Sequence, residues 1–245
     1  MKLNKNIFQI YIQDDPSASI PAAVFDCMRT ISDKKSDYDY YILNNNDLED
    51  VIKKNLGDKY YSYFKRLNPY SYRADFGRYA LLYLFGGWYL DSSVKLNLNL
   101  KEIANNRLVV FRDAPNPGAP SWDASNSVIY AHAKQELFLK ALDKIIKNID
   151  NDYYGTSAHC PTGPTLFGKC LALEEEHPDI VYGMLQPLTP NHNTKNYAFV
   201  LPDGKILAWG KSTWGTVMTD SLDGFGAAGT NSYMKLYYSK NIYTK

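Results

Sequence analysis

The sequence lacks several features that would assign it to a familiar class of protein. Its 245 residues include only three cysteines and four histidines, and no run of eighteen apolar residues occurs. The cysteines, at positions 27, 160 and 170, form no CxxC pair and no even set, which argues against a disulfide framework and favours a reducing compartment. The histidines lack the HExxH spacing of zinc peptidases. Without a long apolar run, we expect no membrane-spanning helix.

A strong charge of either sign is also missing. The formal net charge is +1, so no overall field would attract nucleic acid, and we expect no nucleic-acid partner. The N-terminal residues become charged too soon for a secretory signal peptide, which indicates a cytoplasmic protein. Apolar residues make up 45%, enough for a sizeable core. The length suits one domain over residues 1–245, with a loop-rich C-terminal segment from about residue 186.

Hydrophobic patterns predict strands and helices that alternate along the chain. Strands are predicted at 7–12, 38–43, 88–90 and 108–111. Helices are predicted at 20–31, from 47, at 71–85, at 134–149 and from 164. Such alternation is typical of α/β proteins, so we expect a mainly parallel central sheet flanked by helices.

Residues 71–96 form the most informative segment. From Tyr79 to Phe85 the predicted helix is apolar nearly all round, which indicates little solvent-facing surface. Yet Asp75 and Arg78, three residues apart, share one face of this helix. A carboxylate and a guanidinium in apolar surroundings are costly unless they are paired or have a function. They could form a structural helix pair, but the apolar environment favours a functional role.

The end of this segment places a second carboxylate at a sheet edge. Gly86 and Gly87 end the predicted helix, a short strand follows, and Asp91 emerges at its carboxyl end. Ligands of α/β proteins bind at that edge, although aspartate is also common in ordinary turns. The segment therefore predicts a polar binding site on a buried scaffold.

Together, the motifs resemble glycosyltransferase family 32 and the wider DxD sugar-transferase superfamily. That superfamily includes bacterial capsular polysaccharide glycosyltransferases and the clostridial glucosylating toxins. The resemblance covers roughly residues 6–215, is most specific at 73–91, and rests on five elements: 7–12, 74–83, 86–93, Asn126 before an aliphatic strand, and Thr213-Trp214. It implies the GT-A type of nucleotide-sugar transferase fold.

The resemblance also implies roles for individual residues. Asp75 and Arg78 would hold hydroxyls of the transferred sugar. Asp91 would contact the ribose or the sugar, and Asn126 would face the donor sugar or the acceptor. Phe8, Gln9, Tyr11, Thr213 and Trp214 resemble residues that bind the donor nucleotide and its diphosphate. Beside the resemblance, we add Arg73, Ser93 and Lys211 to this set as candidates.

Several of these assignments have simpler explanations. Phe8 fits core packing equally well, and Arg73 lies before the apolar run, where it is either solvated or within reach of the nucleotide. Trp214 could anchor the C-terminal loop. The sequence Thr162-Gly163-Pro164 precedes a predicted helix, whose first N–H groups attract anions or hydroxyls, but an ordinary helix start explains it as well.

The chain departs from the family at the second motif aspartate, which is replaced by Ser93. In the family that aspartate ligates a divalent metal, and a hydroxyl is a poorer ligand for Mg²⁺ or Mn²⁺ than a carboxylate. A histidine that many relatives carry before the final tryptophan is also missing. Either Asp91 still holds a metal weakly with water and the substrate's phosphates, or Lys211 supplies the positive charge instead. We favour reduced or absent metal dependence.

The reaction implied is retaining transfer of a hexosyl unit from a nucleoside diphosphate sugar to a hydroxyl of a glycan acceptor. We expect a bacterial cytoplasmic enzyme of capsule or lipopolysaccharide (O-antigen) synthesis. It would act on a lipid-linked saccharide at the inner membrane face, with at most peripheral membrane contact. The alternatives are a toxin-like transferase that glycosylates a protein and an inactive module that binds a nucleotide sugar.

Overall fold

The computed structural model describes residues 5–15, 17–35, 37–103, 106–114, 119–174, 178–188, 197–210 and 231–245. The strands in these ranges are β1 (Asn6–Ile10), β2 (Asp39–Leu43), β3 (Gly87–Leu90), β4 (Lys95–Leu96), β5 (Leu108–Arg112), β6 (Ala124–Ala131), β7 (Ile180–Pro187), β8 (Tyr197–Val200) and β9 (Ile206–Trp209). The helices are α1 (Ala22–Lys34), α2 (Asn45–Leu56), α3 (Asp58–Lys65), α4 (Tyr70–Phe85), α5 (Glu136–Asp150), α6 (Pro164–Leu171) and α7 (Tyr233–Tyr238). None of these helices is long and apolar enough to cross a membrane.

All described strands belong to one sheet, in the order β2-β1-β3-β6-β5-β7-β8-β9-β4. Pairing is parallel for β1–β2, β1–β3 and β5–β7, and antiparallel for β3–β6, β5–β6, β7–β8, β8–β9 and β4–β9. The protein is therefore an α/β fold with a large sheet flanked by helices, which confirms the predicted fold class. The described sheet is mixed rather than mainly parallel, since three of its eight strand pairings are parallel.

Side chains from the two faces of the sheet enter separate hydrophobic cores. Phe8 and Tyr89 belong to the core beneath α2–α6, whereas Ile7 and Trp88 belong to the core on the opposite face. This alternation follows from the two-residue period of a strand. The larger core contains most of α4 and the apolar stripe of α5, so the helix that carries Asp75 lies at the centre of the molecule.

The helix α4 is buried over most of its circumference, as its sequence predicts. It begins after Pro69 and ends at Gly86, which has a positive φ of 62° and donates its N–H to Leu82 O. Gly87 also has a positive φ, 104°, and a Cβ there would lie 2.3 Å from Asn6 O. Only glycine therefore allows β3 to follow α4 directly and pair with β1.

Some elements differ from the sequence predictions. The first strand ends at Ile10 rather than at residue 12, and Asn126 lies inside β6 instead of before it. Helix α3 and strand β7 were not predicted, because a short tyrosine-rich helix and a strand with exposed apolar residues lack a clear period. Beyond residue 186 the described residues include β8, β9 and α7.

Candidate functional site

Asp75 lies at the centre of a buried polar cluster. It is 7% exposed, and both oxygens of its carboxylate accept hydrogen bonds from neighbouring elements. Its Oδ1 accepts from Asn126 Nδ2 on β6 at 2.8 Å, and its Oδ2 accepts from Thr162 Oγ1 at 2.6 Å. Thr162 lies just before α6, so this carboxylate joins α4, β6 and the start of α6.

Arg78 links the two carboxylates predicted for the site. One terminal nitrogen lies 3.2 Å from Asp75 Oδ1, and the other lies 3.1 Å from Asp91 Oδ1. The guanidinium also donates to Ala74 O and to Asn126 O, and it stacks on the Tyr89 ring with its central carbon 4.4 Å from the ring centroid. Ion pairs, hydrogen bonds and a cation–π contact thus compensate the burial of this charge.

Asn126 is fixed by two acceptors of α4. Its side-chain amide donates to Asp75 Oδ1 and, at 3.0 Å, to the Tyr79 hydroxyl. The Tyr79 hydroxyl donates in turn to Thr162 O at 3.0 Å. These bonds connect the inner face of α4 to β6 and to the segment before α6, which orients the Asp75 carboxylate.

Asp91 is the most exposed acid of the cluster, with a side chain 30% accessible. Its Oδ1 accepts from the Tyr89 hydroxyl at 2.8 Å, and its backbone carbonyl accepts from Gln9 Nε2 at 3.0 Å. The Gln9 side chain also accepts a hydrogen bond from Tyr40 on β2. The cluster therefore opens to solvent beside Asp91, at the carboxyl ends of β1 and β3.

Burial shifts the proton equilibria of this cluster. It raises the pKa of Asp75, against the opposing charge of Arg78 and the hydrogen bond from Thr162. Burial would lower the pKa of Arg78, but the charge of Asp91, followed by Tyr89 and Asp75, raises it. Burial also raises the pKa of Tyr79 and Tyr89, which stay neutral and act as hydrogen-bond donors.

The described residues do not by themselves fit a divalent metal. Within the described ranges, no three histidine, cysteine, aspartate or glutamate side chains come together as ligands. Asp91 Oδ1 is already engaged by Arg78 and Tyr89, and the neighbouring Ser93 is buried and offers only a neutral hydroxyl. We therefore derive no chemical step that passes through a metal.

Two of the predicted donor contacts lie away from the cluster. Arg73 donates to Leu67 O at 2.7 Å and to Asn45 Oδ1 at 3.0 Å, contacts that hold α4 to α2 and to the end of α3. Phe8 is buried and stacks on Tyr41 with centroids 5.6 Å apart, as a core residue does.

Of the remaining residues that were predicted to contact the donor, Tyr11 lies within the described ranges and the C-terminal ones do not. Tyr11 is buried among Val24 and Met28, and its hydroxyl has no hydrogen-bond partner in the described ranges. The predicted residues Lys211, Thr213 and Trp214 lie outside the described residues.

Three residues of the cluster were not predicted as site residues. The sequence indicates Thr162 only as part of a helix start whose N–H groups could attract anions or hydroxyls. It indicates Tyr79 as part of the apolar run of the helix and Tyr89 as part of the strand. Tyr79 follows Asp75 by four residues, so the helical period could have placed its hydroxyl on the same face. For Tyr89, the signal was its position two residues before Asp91, on the same side of the chain.

Comparison with known proteins concerns the family and the fold of the chain. A family model described as a glycosyltransferase sugar-binding region containing a DXD motif matches residues 21–109. The match supports the DxD sugar-transferase superfamily. No curated protein matches the chain. Among solved structures, the PaToxG glycosyltransferase is similar with a TM-score of 0.51 and 18% identity, over 69% of this chain and 69% of that chain. At this identity the likeness concerns the fold alone.

Proposed function

We propose that the chain is a family 32 glycosyltransferase that moves a hexosyl unit, with retention, from a nucleoside diphosphate sugar to a hydroxyl of a glycan acceptor. One observation carries the proposal. A largely buried helix holds an ion pair, Asp75–Arg78, that is hydrogen-bonded to its surroundings, and the cluster opens to solvent beside Asp91. The DXD match includes this helix and Asp91.

The Asp75 carboxylate is suited to accept hydroxyls of the donor sugar. Among the described residues, its Oδ2 accepts one hydrogen bond, from Thr162, which leaves a second lone-pair direction. Gly163 lies close to this oxygen, since a Cβ there would be 3.5 Å from it, and glycine places no side chain against the carboxylate. Because Asn126 and Arg78 hold the carboxylate in place, its orientation is set before the sugar binds.

The leaving diphosphate needs stabilisation of negative charge, and the donor would approach from the exposed side of Asp91. We assign this stabilisation to Lys211, Thr213 and Trp214, with Tyr11 near the base. We further propose a single cytoplasmic domain whose acceptor is a lipid-linked saccharide of capsule or lipopolysaccharide synthesis, met peripherally at the inner membrane face.

Replacement of Asp75 tests the proposed grip on the sugar. We expect Asp75→Ala to lower the turnover of a nucleotide-sugar panel by at least about 100-fold, because carboxylate contacts to the reacting sugar are lost. The readout is release of nucleoside diphosphate from UDP- and GDP-sugars, with product sought on glycan and on protein acceptors. The matched control is Asp143→Ala, which removes a surface carboxylate of α5 and should leave turnover unchanged. Full activity of Asp75→Ala with retained fold would contradict the assignment.

Chelation tests the role of the metal. Since Ser93 replaces the second motif carboxylate, we expect turnover to persist in EDTA and to change little with Mn²⁺. Ser93→Asp, which restores that carboxylate, should increase the response to Mn²⁺. Complete loss of wild-type turnover in EDTA with sharp recovery in Mn²⁺ would show that the unaltered chain depends on a metal.

A further inference from the structure

A cavity lies between α5, α6 and the segment that joins them. Its volume is about 320 Å³. It is lined by Lys144, Lys147, Asn148, Asn151, Tyr153, Cys160, Leu166 and Lys169. This volume is near the lower end of small-molecule sites, about 300–1,000 Å³, and suits a small group better than a whole nucleotide sugar.

The described lining of the cavity carries positive charge. Three lysines contribute to it, and of the described residues that line it none is acidic. Lys144 and Lys147 lie three residues apart on one face of α5, a like-charged arrangement that disfavours the helix by itself. Lys169 approaches from α6, with Nζ 5.9 Å from the centroid of the Trp122 ring.

Three of the nearby described carboxylates have other partners. Asp143 accepts from the Tyr60 hydroxyl at 2.9 Å, and Asp150 lies 3.4 Å from Arg66. Glu174 pairs with Lys140 and with Arg107. These three acids are thus occupied by side chains that are not part of the cavity, and none of the three lining lysines has a carboxylate partner among the described residues.

The cavity wall also contains fixed polar groups. Asn148 is buried, and its Nδ2 donates to Pro161 O at 2.8 Å. Asn151 is held by a bond from its Nδ2 to Lys147 O at 2.7 Å. The Asn148 bond connects the cavity to Pro161, the residue before Thr162, whose hydroxyl donates to Asp75. The three lysines are themselves exposed, and they surround a concave surface whose wall is held by these asparagine bonds.

We propose that this cavity binds a phosphate-bearing group. Lysine binds phosphate as a point charge, and three such charges around a concave surface reinforce each other. The phosphate could belong to a soluble ligand or to a lipid headgroup, since both present the same oxygens. The site is separate from the proposed sugar cluster, and its binding needs no turnover.

Titration with simple anions tests the site. Inorganic phosphate and pyrophosphate are added to the full chain at low ionic strength, where charge contacts are least screened, and binding is followed by calorimetry and by NMR of the Asn148 side-chain amide. The test variant is Lys144→Gln/Lys147→Gln/Lys169→Gln. The matched control, Lys54→Gln/Lys205→Gln/Lys235→Gln, removes the same charge from exposed positions elsewhere.

We expect saturable pyrophosphate binding that weakens at least about tenfold in the test variant and less than about twofold in the control. Vesicles of phosphatidylcholine, with and without phosphatidic acid, distinguish the two sources. Wild-type protein that sediments only with phosphatidic acid, and only when the three lysines are present, would identify a lipid headgroup. Absence of binding in both arms, or equal loss in the control variant, would overturn the proposal.

Discussion

The charges of α4 lie inside the protein, whereas those of α3 lie on its surface. In the α4 pair, the side chains of Arg78 and Asp75 are 6% and 10% exposed. In the α3 pairs, Lys65 and Glu49 are 48% and 17% exposed, and Arg66 and Asp150 are 33% and 49% exposed. Both regions show ion pairs at similar distances, so distance alone does not distinguish them.

What distinguishes the two regions is the number of partners that each charge has. Arg78 contacts two carboxylates, two backbone carbonyls and an aromatic ring, whereas Arg66 has one carboxylate, one carbonyl and a ring. Water can replace the partners of Arg66 but not those of Arg78. The cost of such an interior pair favours a functional role over a purely structural one, and that is the basis of the proposed sugar site.

The largest expected difference between the two regions comes from removing each arginine. Arg78→Met leaves Asp75 and Asp91 without their cation, and we expect it to lower the free energy of unfolding by about 3–5 kcal/mol and to abolish turnover. Arg66→Met should cost less than about 1 kcal/mol. Urea denaturation of both variants gives the comparison, and equal effects would show that burial does not decide the contribution of these charges.

A smaller effect is expected from removing one hydroxyl in each region. The Tyr79 hydroxyl accepts from Asn126 and donates to Thr162 O inside the protein, whereas the Tyr63 hydroxyl donates to Asp150 at the surface. We expect Tyr79→Phe to lower the free energy of unfolding by about 1–3 kcal/mol, because buried partners lose a hydrogen bond. Tyr63→Phe should leave it nearly unchanged. Thermal or urea unfolding measures both, and an unaffected Tyr79→Phe would mean that water takes the place of the hydroxyl.

The smallest effect is the pH dependence, which should have opposite signs in the two regions. Burial raises the pKa of Asp75, so its contribution to stability is full below the ordinary range of an aspartate and decreases as the pH rises through the folded-state pKa. Burial alone would raise the pKa of Glu49, but hydrogen bonds from Lys65 and Asn45 outweigh this effect and lower the pKa. The contribution of Glu49 is therefore present above the ordinary range of a glutamate and decreases as the pH falls.

Difference measurements isolate these two groups. The unfolding free energy of the wild type minus that of Asp75→Asn should decrease as the pH rises from about 3.5 to 7. The corresponding difference for Glu49→Gln should increase over the same range. The same sign for both differences would contradict the assigned direction for one of the two carboxyls.

The sequence predicted the parts of the site that depend on local periodicity. The helical period placed Asp75 and Arg78 on one face of α4, and the double glycine placed Asp91 at the end of β3. Both follow from interactions between residues close in the chain. The hydrophobic stripe of α5 was predicted for the same reason, and its residues are buried, although the helix runs from Glu136 to Asp150 rather than over residues 134–149.

Contacts between distant segments were not predictable in this way. The bond from Thr162 to Asp75 joins residues 87 positions apart, and it depends on how α6 packs against β6. Arg73 was considered for the nucleotide because its charge was visible in the sequence, but its partners, Leu67 and Asn45, are set by the packing of α2 and α3 on α4. Antiparallel pairing of β6 with β3 and β5 is likewise a property of the whole sheet.

The glycine at position 87 has a consequence for genetic surveys of this protein. Any side chain there meets Asn6 O and pushes β3 from β1, which moves Asp91 relative to Gln9 and Arg78. Substitutions at Gly87 should therefore lower activity in a functional screen about as much as substitutions at Asp91 do. This is expected even though Gly87 has no side chain that could contact a sugar. The proposed activity therefore depends on the distance between β1 and β3 as much as on the polar side chains that these strands present.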